Sequence, residues 1–150
     1  MFGPRGTGKS TWIREHFGNV QTYDLLNSRE ALRLERSPDL LYKECEHLPP
    51  GTWVVMDKVQ NVPAIMDEIH RLMEDRRLRF VLCGSSARKL KRSGSNLLAG
   101  RAIVWHMFPL TYGELNGDYI AERALTHGTL PMSITSSDPE GYLMTYATCI

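Results

Sequence analysis

The sequence predicts an α/β fold, in which helices cover both faces of a mostly parallel sheet and give a three-layer α-β-α arrangement. Three observations support this prediction. A glycine-rich segment at residues 3–10 runs directly into a helical pattern, an apolar run at residues 52–57 closes on an acid, and further apolar runs of strand length alternate with helical patterns. Strands buried on both faces appear as continuous apolar runs, and this alternation is typical of parallel sheets.

The boundaries of the predicted elements follow from residues that start and stop helices. Gly18 ends the first helix, Asn27 caps the second, and Pro49, Pro50 and Gly51 separate the turns that follow from the central strand. The predicted elements are a helix over residues 9–17, an extended stretch over 20–25, a helix over 29–36, a further series of turns from 37–38 to 47, a strand over 52–57, a helix over 63–76, strands over 79–83 and 102–106, a capping box at 111–114, and helices over 119–127 and 138–150.

Residues 3–10 match the pattern G-x-x-x-x-G-K-[ST]. Gly3, Gly6 and Gly8 allow the backbone to curl so that successive N–H groups point at phosphate oxygens, helped by the positive end of the following helix. Lys9 would reach the β and γ phosphates, and the Ser10 hydroxyl would ligate Mg²⁺. The predicted nucleotide-binding residues are Gly3, Pro4, Arg5, Gly6, Thr7, Gly8, Lys9, Ser10 and Thr11.

Asp57 ends the central apolar strand, where phosphoryl-transfer proteins place the acid that holds Mg²⁺. Ser10 and Asp57 are therefore the predicted metal ligands. The next residue would ordinarily be the carboxylate that orients and deprotonates the attacking water, but here it is Lys58. A cation cannot act as that base, and loss of a general base typically lowers the rate by a factor of about 10² to 10⁴. The sequence predicts nucleotide binding with impaired turnover; the alternative is a surface lysine with the base elsewhere.

Taken together, these residues resemble the prokaryotic AAA+ P-loop ATPases that join an amino-terminal ATPase domain to a carboxyl-terminal domain of unknown function. The resemblance covers most of the chain and implies a P-loop NTPase fold, ATP and Mg²⁺ as cofactors, and ATP hydrolysis. Besides the glycine-rich motif, it rests on residues 48–57 with Val59 and Gln60 following, on residues 84–90, on residues 98–102 and on residues 108–111.

The resemblance also implies roles for polar residues outside the motif. Ser85, or alternatively Ser86, would be the sensor at its strand end that contacts the γ phosphate or the attacking water, unless it is a simple strand-end turn. Arg101 would match the family's Gly-Arg signature, where a guanidinium neutralises charge on the transferring phosphoryl group of its own or a neighbouring subunit; a structural salt bridge is the alternative. The predicted catalytic residues are Lys9, Asp57, Ser85 and Arg101.

The chain departs from the family pattern in three respects. Residues 57–60 read D-K-V-Q where the pattern has D-E-V-Q. Two residues precede the glycine-rich loop, so we expect the first strand, which this fold places between the strands ending at Gly84 and His106, to be largely missing. We expect the second domain to be absent as well. We therefore expect a chain truncated at both ends, with the ATPase domain over residues 1–130 and the start of a carboxyl-terminal helical region over residues 131–150.

Composition and cysteine spacing limit the other classes of function. With 42% hydrophobic and 23% charged residues, the chain falls in the globular class, and no apolar run approaches the roughly 20 residues of a membrane-spanning helix. We see no secretory signal, so we expect a cytoplasmic location without membrane partners. Cys45, Cys83 and Cys149 lack C-x-x-C spacing, which argues against a disulfide framework and a zinc site.

The formal net charge of +1 is unevenly distributed. Residues 71–101 carry nine arginines and lysines and two acidic residues, so this segment could meet nucleic-acid phosphates or an acidic partner, with a solvated face as the alternative. The leading hypothesis is an ATP-binding ATPase domain that forms a homo-oligomer or acts with a further domain. The alternatives are a non-hydrolysing nucleotide-binding or regulatory module, a truncated fragment and, less favoured, nucleic-acid binding through residues 71–101.

Overall fold

The computed structural model describes residues 1–85 and 100–148. Within these ranges it has an α/β fold, with a three-stranded parallel sheet of order β1-β2-β3 flanked by helices. Ser86 and the other predictions that fall in residues 86–99 or 149–150 lie outside the described residues.

The elements are α1 (Lys9–Phe17), β1 (Gln21–Asp24), α2 (Ser28–Arg36), α3 (Asp39–Cys45), β2 (Trp53–Asp57), 3-10 turns at Val59–Asn61 and Pro63–Ile65, α4 (Met66–Arg76), β3 (Arg79–Cys83), α5 (Tyr112–Leu115), α6 (Ala121–His127), α7 (Pro131–Thr135) and α8 (Pro139–Thr148).

Strand β2 is the centre of the sheet, because it pairs in parallel with β1 on one side and β3 on the other. Its side chains alternate between two buried clusters. Val54 and Met56 lie in the larger cluster with α2, α3 and α4, whereas Val55 lies in a smaller cluster with Ile13 of α1. All three β2 residues are fully buried. The predicted three-layer arrangement is therefore confirmed, with helices on both faces of the sheet.

The larger cluster contains apolar residues that recur at helical spacing. Ile65, Ile69 and Leu72 recur on one face of the segment that forms the 3-10 turn and α4, as the sequence predicts, and all are fully buried. They share this cluster with Leu34 of α2 and Leu41 of α3. This apolar contact fixes α4 against the sheet between the end of β2 and the start of β3.

A polar network closes the same face of the sheet beside β1. The buried Tyr23 hydroxyl donates to Glu44 Oε2 at 3.0 Å. Burial, followed by its hydrogen bonds to Cys45 and Glu44, raises the pKa of Tyr23. Arg33 donates to Glu44 and to Glu30, and the hydrogen bond from Arg33 holds the pKa of Glu44 below its usual value. The network joins β1, α2 and α3 through partly buried charges.

The first two residues occupy the position that the sequence analysis assigns to the first strand. Phe2 makes parallel bridges to Gly84 on one side and to His106 on the other. The Phe2 N–H donates to the Trp105 carbonyl at 2.8 Å, and the Gly84 N–H donates to the Met1 carbonyl at 3.2 Å. The predicted order, with this position between Gly84 and His106, is confirmed.

The predicted buried strand over residues 102–106 is wrong. The segment contributes one bridge, at His106, and no ladder. Ile103 and Trp105 are 82% and 67% exposed. A strand needs a neighbour that supplies hydrogen bonds along its length, and here Phe2 supplies a single position. The apolar sequence therefore forms no strand and stays exposed.

By their contacts, the residues divide into two compact units: Met1–Phe2 with Lys9–His106, and Gly3–Gly8 with Met107–Ile150. The first unit holds the sheet. In the second unit, the predicted capping box is present between Thr111 and Glu114. Helix α7, which the sequence analysis does not predict, starts at a proline, and its buried Ser133 donates to the His127 carbonyl at 2.5 Å. In the described ranges no helix is long and apolar enough to cross a membrane.

We expect Leu72→Ala to lower the free energy of unfolding by about 2–5 kcal/mol, because Leu72 is fully buried in the larger cluster. Leu26→Ala makes the same chemical change at a side chain that is 64% exposed, and should change it by less than about 0.5 kcal/mol. Urea unfolding followed by circular dichroism measures both. Equal effects of the two variants would contradict the placement of α4 on the sheet.

Candidate functional site

The carboxyl end of β2 carries an oriented acid. Asp57 Oδ2 accepts a hydrogen bond from the Ser10 hydroxyl at 2.7 Å, and Asp57 Oδ1 accepts one from the Lys58 N–H at 2.8 Å. Ser10 belongs to the first turn of α1, which packs on the sheet through Ile13. The structure therefore joins the two predicted metal ligands, although they are 47 residues apart in the chain. A hydroxyl and a carboxylate oxygen are the kind of ligands that Mg²⁺ prefers.

Lys9, the other predicted site residue at the start of α1, is buried, with 5% of its surface exposed. Burial lowers the pKa of Lys9, and the positive charge of Lys58 lowers it further, whereas Cys83 and Asp57 raise it. Lys9, Asp57 and Lys58 are thus close enough to interact electrostatically. Two lysines and one carboxylate leave this group with an excess of positive charge, which favours an anion.

Cys83 ends β3 opposite Asp57 in the parallel register. Its thiol is fully buried, and burial, with the charge and hydrogen bond of Asp57, raises the pKa of Cys83 to about 12. A thiol in this environment stays protonated at neutral pH. Cys83 thus contributes a buried thiol to the end of the sheet beside Asp57.

Lys58 has a left-handed backbone, with φ 59° and ψ 38°. This conformation is uncommon for a residue with a side chain and costs of order 1 kcal/mol. Two features hold it here: its N–H is bound to Asp57, and its carbonyl accepts from the Asn61 N–H at 2.9 Å as the 3-10 turn begins. The backbone therefore turns sharply at the position where the base is expected in the resembled family.

Ser85, the predicted sensor, follows Gly84 at the end of β3. Gln60 Nε2 lies 3.5 Å from the Ser85 hydroxyl oxygen. A Cβ at Gly84 would lie 2.3 Å from Gln60 Oε1, so any side chain at this position would have to displace the amide. Gln60 is part of the family resemblance without an assigned role, and the structure brings it to the predicted sensor Ser85.

Arg101, the other residue with a predicted catalytic role, lies elsewhere. Its Nε bonds to Glu74 Oε1 at 2.9 Å. Glu74 is near the end of α4, which returns the chain to the start of β3 at Arg79, so the pair lies near the amino ends of the strands. The structure does not bring Arg101 to Lys9 and Asp57, and the salt bridge matches the alternative left open for it.

Other basic residues in the segment 71–101 also have contacts within the chain. Arg71 bonds to Glu68 at 2.7 Å and lies 4.4 Å from the centre of the Tyr42 ring. Arg79 lies 5.6 Å from the Trp53 ring. Binding of nucleic acid by this segment stays a prediction.

The glycine-rich loop Gly3–Gly8 belongs to the second unit. Its bends require glycine: Gly6 and Gly8 have φ of 75° and 88°. The buried Thr7 hydroxyl donates to the Pro4 carbonyl at 3.0 Å. The next carbonyl in the loop, that of Arg5, accepts a hydrogen bond from the Tyr146 hydroxyl of α8 at 3.2 Å.

Thr11, the last predicted binding residue, is exposed in the first turn of α1. Sequence reasoning missed the contact of Tyr146 with the loop, because it joins residues 141 positions apart and no local pattern indicates it.

The parallel sheet, the glycine-rich loop and the acid at the end of β2 define a P-loop ATPase-like domain. The family model described as AAA domain matches residues 1–116, and the chain belongs to this family. Membership indicates nucleotide binding. No curated protein matches the chain.

The environment of Cys83 leads to a prediction for its reactivity. We expect iodoacetamide at pH 8 to leave Cys83 unmodified in the folded protein and to modify it fully in 8 M urea, because burial and Asp57 keep the thiol protonated. Mass spectrometry of the peptide that contains Cys83 reads out the modification. Rapid alkylation without urea would contradict the buried end of β3.

Proposed function

We propose that this chain binds ATP with Mg²⁺ through Gly3, Gly6, Gly8, Lys9 and Ser10, with Asp57 behind the metal. The observation that carries the proposal is the 2.7 Å hydrogen bond between Ser10 and Asp57. It joins the last residue of the glycine-rich motif to the acid of the central strand. These are the two side chains that phosphoryl-transfer sites use to hold Mg²⁺.

The donor set fits the metal and the phosphates. Mg²⁺ is usually held by one or two carboxylate or hydroxyl oxygens together with phosphates and waters, so Ser10 and Asp57 are enough protein ligands. When bound, Mg²⁺-ATP supplies a phosphoanhydride whose charge the metal neutralises. Burial and the charge of Lys58 lower the pKa of Lys9. A phosphate beside Lys9 would favour the charged form of this lysine.

We infer that hydrolysis is impaired in this chain. Lys58 follows the metal-binding acid directly and cannot accept a proton from water as an ammonium. Ser85 and Gln60 are neutral, so either side chain can orient a water by hydrogen bonding but cannot deprotonate it. The proposed function is therefore nucleotide binding with slow turnover, and a regulatory module that only binds nucleotide is its limiting case.

We further propose that the chain is of the prokaryotic two-domain type and that Arg101 acts on a bound nucleotide. The resemblance of residues 48–57 and 84–90 supports the prokaryotic two-domain type, with the ATPase domain over residues 1–130. Arg101 would act on a nucleotide in a neighbouring subunit and would first have to leave Glu74. A homo-oligomer is therefore required for that role.

We expect saturating Mg²⁺-ATP to raise the melting temperature of the chain. At 100 times the Kd, the ligand stabilises the folded state by about 2.7 kcal/mol, which corresponds to roughly 5–10 °C for a chain of this size. Lys9→Ala should abolish the shift. Lys43→Ala should keep it, because Lys43 is exposed and pairs with Asp39 on α3. A full shift in Lys9→Ala would refute the proposed site.

We expect Lys58→Glu to increase the rate of phosphate release about 10²-fold to 10⁴-fold, because it restores a general base beside Asp57. Lys58→Gln removes the cation without adding a base, and should leave the rate near that of the unaltered protein. Phosphate release under saturating ATP measures all three.

A further variant identifies the site of that reaction. Lys9→Ala in the Lys58→Glu background should abolish the gain. If the unaltered protein already turns over as fast as Lys58→Glu, another residue activates the water and the inferred impairment is wrong.

A further inference from the structure

The loop Gly3–Gly8 is held in its conformation by hydroxyl groups that bind its carbonyl oxygens. When successive N–H groups of a loop face an anion, the carbonyls of those peptides face away from it and need donors of their own. Here the Pro4 carbonyl accepts from Thr7, and the next carbonyl, of Arg5, accepts from Tyr146. One donor comes from the loop and the other from α8.

Helix α8 also lies against the loop at the neighbouring residue. A Cβ at Gly6 would lie 2.8 Å from the Tyr142 hydroxyl and 3.8 Å from the Tyr146 ring. Tyr142 and Tyr146 are one helical turn apart, with ring centres separated by 6.1 Å, so they form one surface of α8. The loop and this surface belong to the same compact unit.

We propose that Tyr146 is a positioning residue for phosphate binding. Its hydroxyl holds the Arg5 carbonyl and so keeps the following N–H groups turned toward the phosphates. Tyr142 supports the same backbone by contact at Gly6. This proposal rests on the proposed nucleotide function, and it gives α8 the role of supporting the glycine-rich loop.

Tyr146→Phe removes the hydroxyl and keeps the ring. Loss of one hydrogen bond should weaken binding of Mg²⁺-ATP by about 2-fold to 10-fold, while the melting temperature without ligand changes little. Tyr112→Phe is the matched control, because Tyr112 packs on Tyr119 in the same unit. It should bind Mg²⁺-ATP like the unaltered protein. Isothermal titration calorimetry gives the affinities.

Mg²⁺-tripolyphosphate is the second probe, because it has the phosphates of the nucleotide and no base or sugar. If Tyr146 positions the phosphate loop, Tyr146→Phe weakens binding of tripolyphosphate and ATP by the same factor. A loss for ATP without a loss for tripolyphosphate would show that Tyr146 recognises the base or the sugar, and would overturn the proposal. No loss for either probe would overturn it as well.

A third measurement needs no nucleotide. Trypsin cleaves after the exposed Arg5, and a loop released from Tyr146 should be cleaved several times faster in Tyr146→Phe than in Tyr112→Phe. Equal rates would overturn the positioning role whatever the binding data show. Faster cleavage in a protein that binds neither probe would retain the loop contact and refute the proposed nucleotide function.

Discussion

The pairing of β2 with both of its neighbours is the constraint on which the rest of the structure depends. Its residues Val54, Val55 and Met56 are fully buried on two faces, so the strand cannot shift without exposing one of the two clusters. The register of β2 places Asp57 at the end of the sheet beside Cys83. Helix α1 is fixed on the same strand through Ile13, and this brings its first turn to Asp57. The polar site is therefore a consequence of an apolar strand.

Much of the fold can be predicted from sequence where the signal is local. The apolar run of β2, the asparagine cap of α2 and the periodicity of α4 each lie within a dozen residues, and the structure confirms all three. The strand expected over residues 102–106 has an equally apolar sequence and does not form. A ladder depends on the neighbouring segment, so its presence is not encoded in the strand's own residues. The short helix α7 has five residues, which are too few to show a repeating amphipathic pattern. The sequence therefore does not predict it.

The contacts of the candidate site also divide into those that local sequence patterns predict and those that they do not. Ser10 and Asp57 could be paired from sequence, because the motif and the strand end each have a recognisable pattern and the topology of a parallel sheet brings them to one edge. No pattern of that kind connects Gln60 with Ser85, or Tyr146 with Arg5. Such contacts depend on how complete elements pack. Supporting residues are consequently harder to predict than the groups they support.

Lys58 shows how binding and turnover can depend differently on one position. A carboxylate there would stand next to Asp57 and add negative charge where phosphates must enter. The lysine reverses that charge and lowers the pKa of the buried Lys9, so an anion beside Lys9 would offset the repulsion between the two cations. Under the proposed function, the same side chain would leave the attacking water without a proton acceptor at this position. Electrostatic attraction for a phosphate does not require a carboxylate at this position, and the proposed function therefore separates nucleotide binding from turnover.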